Sequence, residues 1–132
     1  MLITMKKTTK QPTDGPTKEL FTDGTLSGEG RMKIGQRQGK WKFYYRNGQL
    51  KAAGKYVDGQ LDGKWEWWRE NGQPLQVGTF KVGVQIGVWK RYYDNGSLLD
   101  EGAYENGKKV GEWTTYDKTG KIKKQKSFQQ KS

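Results

Sequence analysis

Gly39-Lys40-Trp41-Lys42-Phe43-Tyr44-Tyr45-Arg46-Asn47-Gly48 returns in pattern three more times along the chain with no insertion or deletion. Trp41, Trp65, Trp89 and Trp113 stand 24 residues apart, as do Gly39, Gly63, Gly87 and Gly111 and the Asn-Gly pairs at 47–48, 71–72 and 95–96. A fixed period of this length means an array of small units that bury their apolar faces only against one another. Counting back 24 recovers a degenerate first copy. Gly15, Phe21, Asp23-Gly24, Leu26, Gly30 and Gly35 stand for Gly39, Tyr45, Asn47-Gly48, Leu50, Gly54 and Gly59, with Thr17 where a tryptophan should be. The units run 15–38, 39–62, 63–86, 87–110 and 111–132.

Residues 1–14, with Lys6, Lys7, Lys10 and Pro12 and no periodicity, have the composition of a mobile basic arm. The repeat domain is 15–128, and 129–132 reads as a C-terminal tail.

Within a unit, Asn-Gly or Asp-Gly between aromatic and aliphatic residues is a hairpin signal, and a type I′ turn is expected at 47–48 and its repeats. A second reversal follows about eleven residues on, at Asp58-Gly59 and Asn106-Gly107 and, with poorer turn residues, at Ile34-Gly35 and Val82-Gly83. Two strands and two turns per unit give an all-β fold, an open antiparallel meander of about ten short strands forming one twisted, curved sheet.

Two-residue turns fix a register: Tyr45 faces Leu50, Phe43 faces Ala52, Trp41 faces Gly54 and Gly39 faces Tyr56. The same rule sets Trp65 against Gly78 and Trp89 against Gly102, so each indole covers a strand residue without a side chain. It also pairs Arg91 with Asp100, Lys90 with Glu101 and Lys18 with Glu29, opposite charges that support the ladder. One face then carries Trp41, Trp65, Trp89 and Trp113 with Tyr56, Phe80, Tyr104 and Phe128, plus Leu50, Leu98 and Ile122. It is expected to be the buried, concave side. The opposite face carries Tyr44, Trp68, Tyr92 and Tyr116, expected in an exposed row. Lys42 and Arg46 lie nearby, and the charges around the row vary from unit to unit.

Gly-x-Trp-x-x-Tyr-x-x-Asn-Gly, followed by an aromatic residue and Asp-Gly, resembles the MORN repeat in the variant form found in many bacterial proteins. The resemblance covers residues 39–128 and, in part, 15–38. It implies β-hairpins laid side by side into a long curved sheet, association with proteins or membranes, and no catalytic residues. Some bacterial members are described as antitoxins of toxin–antitoxin pairs, which the resemblance alone carries over. The departures from the pattern are Thr17 for Trp, Pro74 where Leu50 and Leu98 sit, Lys126 for Gly, and Arg91 where Phe43 and Trp67 sit.

Composition argues against chemistry. Only 31% of the 132 residues are hydrophobic, against roughly 45–50% in globular domains, and much of that is 6 Trp, 7 Tyr and 4 Phe, which favour strands. Without Cys or His there is no thiolate site and no imidazole base. Glu66 with Glu70, and Asp100 with Glu101, are the paired carboxylates, and the cross-strand cations account for the second pair. The Gly-x-x-x-Gly segments precede no helix and no Gly-Lys-Ser/Thr, so they are turns rather than phosphate loops. No catalytic, cofactor or metal residue is expected, and no small-molecule substrate. No signal peptide or membrane span is read, and a cytoplasmic setting follows as the default.

The net charge of +11 is spread along the chain and densest near Lys118, Lys121, Lys123, Lys124 and Lys126, on the expected edge strand. Such lysines guard an edge against aggregation or bind phosphates of nucleic acid or anionic lipid. The sequence thus points to a non-enzymatic scaffold for a protein partner or for self-association through Tyr44, Trp68, Tyr92 and Tyr116, with binding of anionic surfaces as the alternative.

Overall fold

The computed structural model describes residues 14–129. Of the arm read over residues 1–14 all but Asp14 lies outside the described residues, as does the end of the tail, 130–132, and Asp14 is tied to the sheet through Ile34 N–H. Ten strands follow one another: β1 (Gly15–Leu20), β2 (Leu26–Lys33), β3 (Gln36–Tyr44), β4 (Leu50–Val57), β5 (Gln60–Trp68), β6 (Pro74–Lys81), β7 (Val84–Tyr92), β8 (Leu98–Glu105), β9 (Lys108–Tyr116) and β10 (Ile122–Phe128). They form one open antiparallel sheet in which spatial order equals chain order.

The type I′ turn expected at Asn-Gly is found at the other reversal of each unit instead. At Asn47-Gly48 only the glycine has positive φ. Gly48 N–H donates to Tyr45 O and Tyr45 N–H to Gln49 O, which is a three-residue loop closed by a bulge glycine rather than a type I′ turn. The extra residue shifts the pairing near the turn, so Leu50 faces Tyr44 instead of Tyr45. Likewise Leu98 faces Tyr92 and Ile122 faces Tyr116, which pairs these three with the second row and not with the tryptophans. Farther from the turn the register is the expected one, with Phe43 opposite Ala52, Trp41 opposite Gly54 and Gly39 opposite Tyr56. The type I′ geometry belongs to the other reversal. Ile34, Asp58, Val82 and Asn106 all have φ near +50° and each precedes a glycine of positive φ. Two of these residues are β-branched, for which left-handed backbone is strained.

Neighbouring hairpins hold that strain in place. Gly59, Gly83 and Gly107 donate to the carbonyls of Arg37, Leu61 and Gln85 on the preceding unit. Twenty residues before three of the turns, a polar side chain caps the first turn residue: Asp14 accepts from Ile34 N–H, Gln38 from Asp58 N–H and Asp62 from Val82 N–H.

The core is a single ladder of rings on one face. Trp41, Trp65, Trp89 and Trp113 are buried, between 1% and 8% exposed. Trp41, Trp65 and Trp89 are paired in register with the glycine of their own hairpin and Trp113 with Lys126, yet each of the four rings lies over the glycine of the preceding hairpin. Trp41 covers Gly30, Trp65 covers Gly54, Trp89 covers Gly78 and Trp113 covers Gly102, so closely that a Cβ there would overlap the ring. The cause is a slip of two residues in each ladder between units. Lys55 faces Asp62 but Ala53 faces Glu66, so Gly63, Lys64 and Trp65 together span the single Gly54. Gly63, with φ +72°, makes the bend. An even slip leaves every residue on its own face. The indole N–H then donates to the carbonyl one residue beyond the covered glycine: Arg31, Lys55, Thr79 and Ala103 in turn, at 2.8 to 3.2 Å.

Between successive tryptophans Tyr56, Phe80 and Tyr104 stand edge-on, with centroids 5.1 Å from Trp65, 5.1 Å from Trp89 and 5.2 Å from Trp113. Such pairs add about 0.5–1.5 kcal/mol beyond area burial. We expect Trp65→Ala to lower urea stability by about 3–5 kcal/mol, the range for a truncated buried Trp, and to exceed the loss from any half-exposed aromatic of the other face. Val82→Asn should act in the opposite sense, raising stability by about 1 kcal/mol with an unchanged urea m-value, because asparagine tolerates the left-handed backbone that valine resists.

Candidate functional site

With the tryptophan ladder committed to internal packing, the surfaces open to a partner are the second face, the ends of the ladder and the sheet edges. Tyr44, Trp68, Tyr92 and Tyr116 each close a long odd-numbered strand and recur at the same place in successive hairpins. All four are half-buried, so the row is less exposed than its pattern suggests. The reason differs along it. Tyr44 donates its hydroxyl to Glu29 at 2.5 Å and Tyr116 to Glu101 at 2.6 Å, which takes up two of the carboxylates expected to pair with Lys18 and Lys90. The central members stand otherwise. Among the described residues no hydrogen bond engages the Trp68 indole N–H or the Tyr92 hydroxyl, and no ring contact joins one member of the row to the next.

At the rim Lys42 projects beside the row, opposite Ala53 and Glu29. Arg46 is partly occupied: its guanidinium lies 4.8 Å from the Phe21 ring and 3.8 Å from Asp23. Around Lys42 the surface is basic. Lys18, Arg31, Lys40 and Lys42 line a depression of about 470 Å³ with Glu29, and Lys40 sits directly opposite Lys55 in the ladder.

The tryptophan face is not uniform. In the second unit its non-aromatic positions carry Ala52 and Leu61, which with Phe43 and the third unit's Trp67 are packed on the rings. One or two periods on, the same positions hold Gln76, Gln85, Arg91 and Asp100, which with Lys109 surround a cavity of about 290 Å³ floored by Trp89, Tyr104 and Trp113. Asp100 is 6% exposed and bound bidentately by Arg91, at 3.1 and 2.6 Å. Of the three charge pairs expected from the register, only this one forms an ion pair among the described residues, and the hydrogen bond to Asp100 raises the affinity of Arg91 for its proton. Reading the sequence one period at a time hid this polar half, although comparing Phe43, Trp67 and Arg91 down their column shows it.

Both ends of the ladder carry a cation at equivalent positions, 72 residues apart. Arg37 lies 5.0 Å from the Trp41 ring and grips Glu19 with two contacts of 2.9 Å, while Lys109 lies 4.5 Å from the Trp113 ring. Among the described residues no group of three or more acids is placed to hold a metal ion, and no helix is long and apolar enough to cross a membrane.

The repeat geometry, with its glycine, tryptophan and turn pairs in fixed phase, is matched by the profile of the MORN repeat variant family over residues 37–58, 61–81, 85–106 and 109–130. The chain belongs to that family. MORN repeats are commonly modules that bind proteins or membranes. The hairpin formed by β1 and β2 lies outside the matched segments and still joins the sheet in the same order. Comparison with curated proteins gives no match. Among solved structures, the crystal structure of a GtfA/B complex bound to UDP and GlcNAc resembles this MORN chain with 12% identity and a TM-score of 0.38. The likeness covers 65% of this chain, which spans 22% of that one.

The Tyr44 phenol provides a local probe of the second face. Its hydrogen bond to Glu29, then burial, push its pKa from the ordinary 10.0 up to about 12. Raised in the fold, it contributes stability that is fully present below about pH 10 and is lost as pH climbs through about 12. Glu29→Gln should bring the Tyr44 titration back toward about 10, followed by ring NMR shifts against alkaline pH.

Proposed function

We propose that this MORN-repeat chain is a non-enzymatic cytoplasmic scaffold that binds a protein partner, or a second copy of itself, through the row Tyr44, Trp68, Tyr92 and Tyr116. Trp68 and Tyr92 are the anchors, with Lys42 and Arg46 at the rim. One observation carries the reading: the indoles of Trp41, Trp65, Trp89 and Trp113 donate internally and Trp67 is packed between Trp65 and Trp89, whereas the Trp68 indole N–H and the Tyr92 hydroxyl have no hydrogen-bond partner among the described residues. Half-exposed aromatics with a free polar tip are the side chains that interfaces favour. An antitoxin role is one form of this reading, in which the partner is a toxin covered by the row.

Binding of an anionic surface, phospholipid or nucleic acid, is the second reading. The depression lined by Lys18, Arg31, Lys40 and Lys42 around Glu29 favours it, because Lys40 faces Lys55 across the ladder and has no ion-pair partner among the described residues. Lys55 finds one in Asp62 at 3.4 Å.

The test combines both. Affinity capture with the full chain, and its oligomer size by light scattering, should be repeated with the double variant Trp68→Ser, Tyr92→Ser. Association lost in the variant while the strand signal in circular dichroism persists is the expected result. Unchanged association and unchanged size overturn the aromatic row as an interface. Binding that survives the substitutions yet falls steeply with salt assigns it to the lysines instead.

A further inference from the structure

Among the described residues, the open sheet leaves two strands with a row of backbone N–H and C=O groups outside any ladder, β1 and β10. The two edges differ chemically. β1 carries Lys18 beside Glu19, and its Pro16 lacks an N–H. β10 carries Lys123, Lys124 and Lys126, with no proline and no acid, and is exposed from Ile122 to Ser127.

Part of this charge is held in place. On the tryptophan face Lys109, Lys124 and Lys126 line a depression of about 200 Å³ with Trp113 and Phe128. Lys109 Nζ lies 4.5 Å from the Trp113 centroid, and Lys126 Nζ lies 5.0 Å from that of Phe128, so two of the three ammonium groups rest against rings. Asp100, the one carboxylate among the described lining residues, is engaged by Arg91. Room remains for a negative charge.

The repeat also says what cannot dock there. Lys126 stands where β2, β4, β6 and β8 have the glycine that lies under the next indole. Its side chain fills that space, so a further strand bearing a tryptophan is shut out. A second β10 would bring three more lysines against these. An extended acidic segment meets neither obstacle.

We propose that β10 is the docking edge for an acidic, extended segment of a protein partner, which adds as an eleventh strand and places a carboxylate among Lys109, Lys124 and Lys126. The inference rests on the reading of the chain as a protein-binding scaffold and gives it a second contact of defined chemistry. Backbone pairing along the edge supplies affinity, and side chains at alternate positions supply selection. Acids on one face of the added strand meet Lys124 and Lys126, and those on the other meet Lys123.

A short capped peptide alternating Thr and Glu, titrated into the nitrogen-15-labelled full chain, tests this. The outward amides of β10 should gain protection from hydrogen exchange. The same peptide N-methylated at alternate residues keeps its charge but cannot pair, and should bind at least about tenfold more weakly, as should a Thr-Gln peptide. Lys124→Gln with Lys126→Gln should weaken the Thr-Glu peptide by about tenfold while the amide spectrum stays dispersed. Equal binding of the N-methylated peptide, protection at β1 rather than β10, or no binding overturns the proposal. Including the Trp68→Ser, Tyr92→Ser variant separates the two surfaces. Peptide binding that survives there supports the β10 site even where the aromatic row fails. Absence of peptide binding beside a working row overturns the β10 site alone.

Discussion

A tryptophan ring laid on a glycine of the neighbouring hairpin is the contact on which the structure depends. Two strands of eight or nine residues cannot hold together alone in water, and a single-layer sheet has no second layer to pack against. The chain builds its core within one face. Each indole lies flat on backbone where no side chain intervenes and closes its own N–H onto the adjoining carbonyl. This joins unit to unit, while Tyr56, Phe80 and Tyr104, from β4, β6 and β8, stand edge-on against the rings. Apolar content far below the globular norm suffices because it is concentrated in a few large rings.

A ladder of rings must end somewhere, and the ends show how the repeat is modified. At the first unit Thr17 supplies no indole, and the guanidinium of Arg37 covers Trp41, Phe43 and Tyr56 while bound to Glu19. At the last, Lys126 replaces the glycine and Lys109 covers Trp113. Cations on exposed ring faces cover apolar surface and keep a charge toward water, which suits the terminal units of an array. Between the ends, the same lattice of positions changes from Ala52 and Leu61 to Gln76, Gln85 and Asp100 without disturbing the backbone register. The scaffold is thus indifferent to side chains that the ladder does not use, and those positions are where binding chemistry can vary.

The two faces divide the work. On one, the indoles of Trp41, Trp65, Trp89 and Trp113 are buried and bonded internally. On the other, hydroxyls of Tyr44 and Tyr116 are tied to carboxylates, while Trp68 and Tyr92 keep their polar tips free among the described residues. The neighbouring turns are stapled separately, by Tyr45 and Tyr93 hydroxyls and the Arg69 guanidinium reaching carbonyls of the next unit, so a partner can meet a row whose spacing is fixed.

Sequence by itself determined the period, the number and order of strands and the face of each of the four repeat tryptophans. These follow from local turn chemistry and the alternation of side chains along a strand. It also determined that Arg91 opposes Asp100. Sequence did not determine which glycine each indole covers. Alternation assigns a face but not the neighbour toward which a side chain leans, and that choice was made by the two-residue slip at Gly63 and its repeats. Nor did it determine the turn types: Asn-Gly suits a type I′ turn in isolation, yet that geometry falls at Ile34-Gly35, bonded by Asp14, and at Val82-Gly83, bonded by Asp62 and Leu61 of the preceding unit. Only the tertiary structure decided that Tyr44 and Tyr116 would reach Glu29 and Glu101, because those partners lie 15 residues away across a ladder whose slip no single repeat reveals.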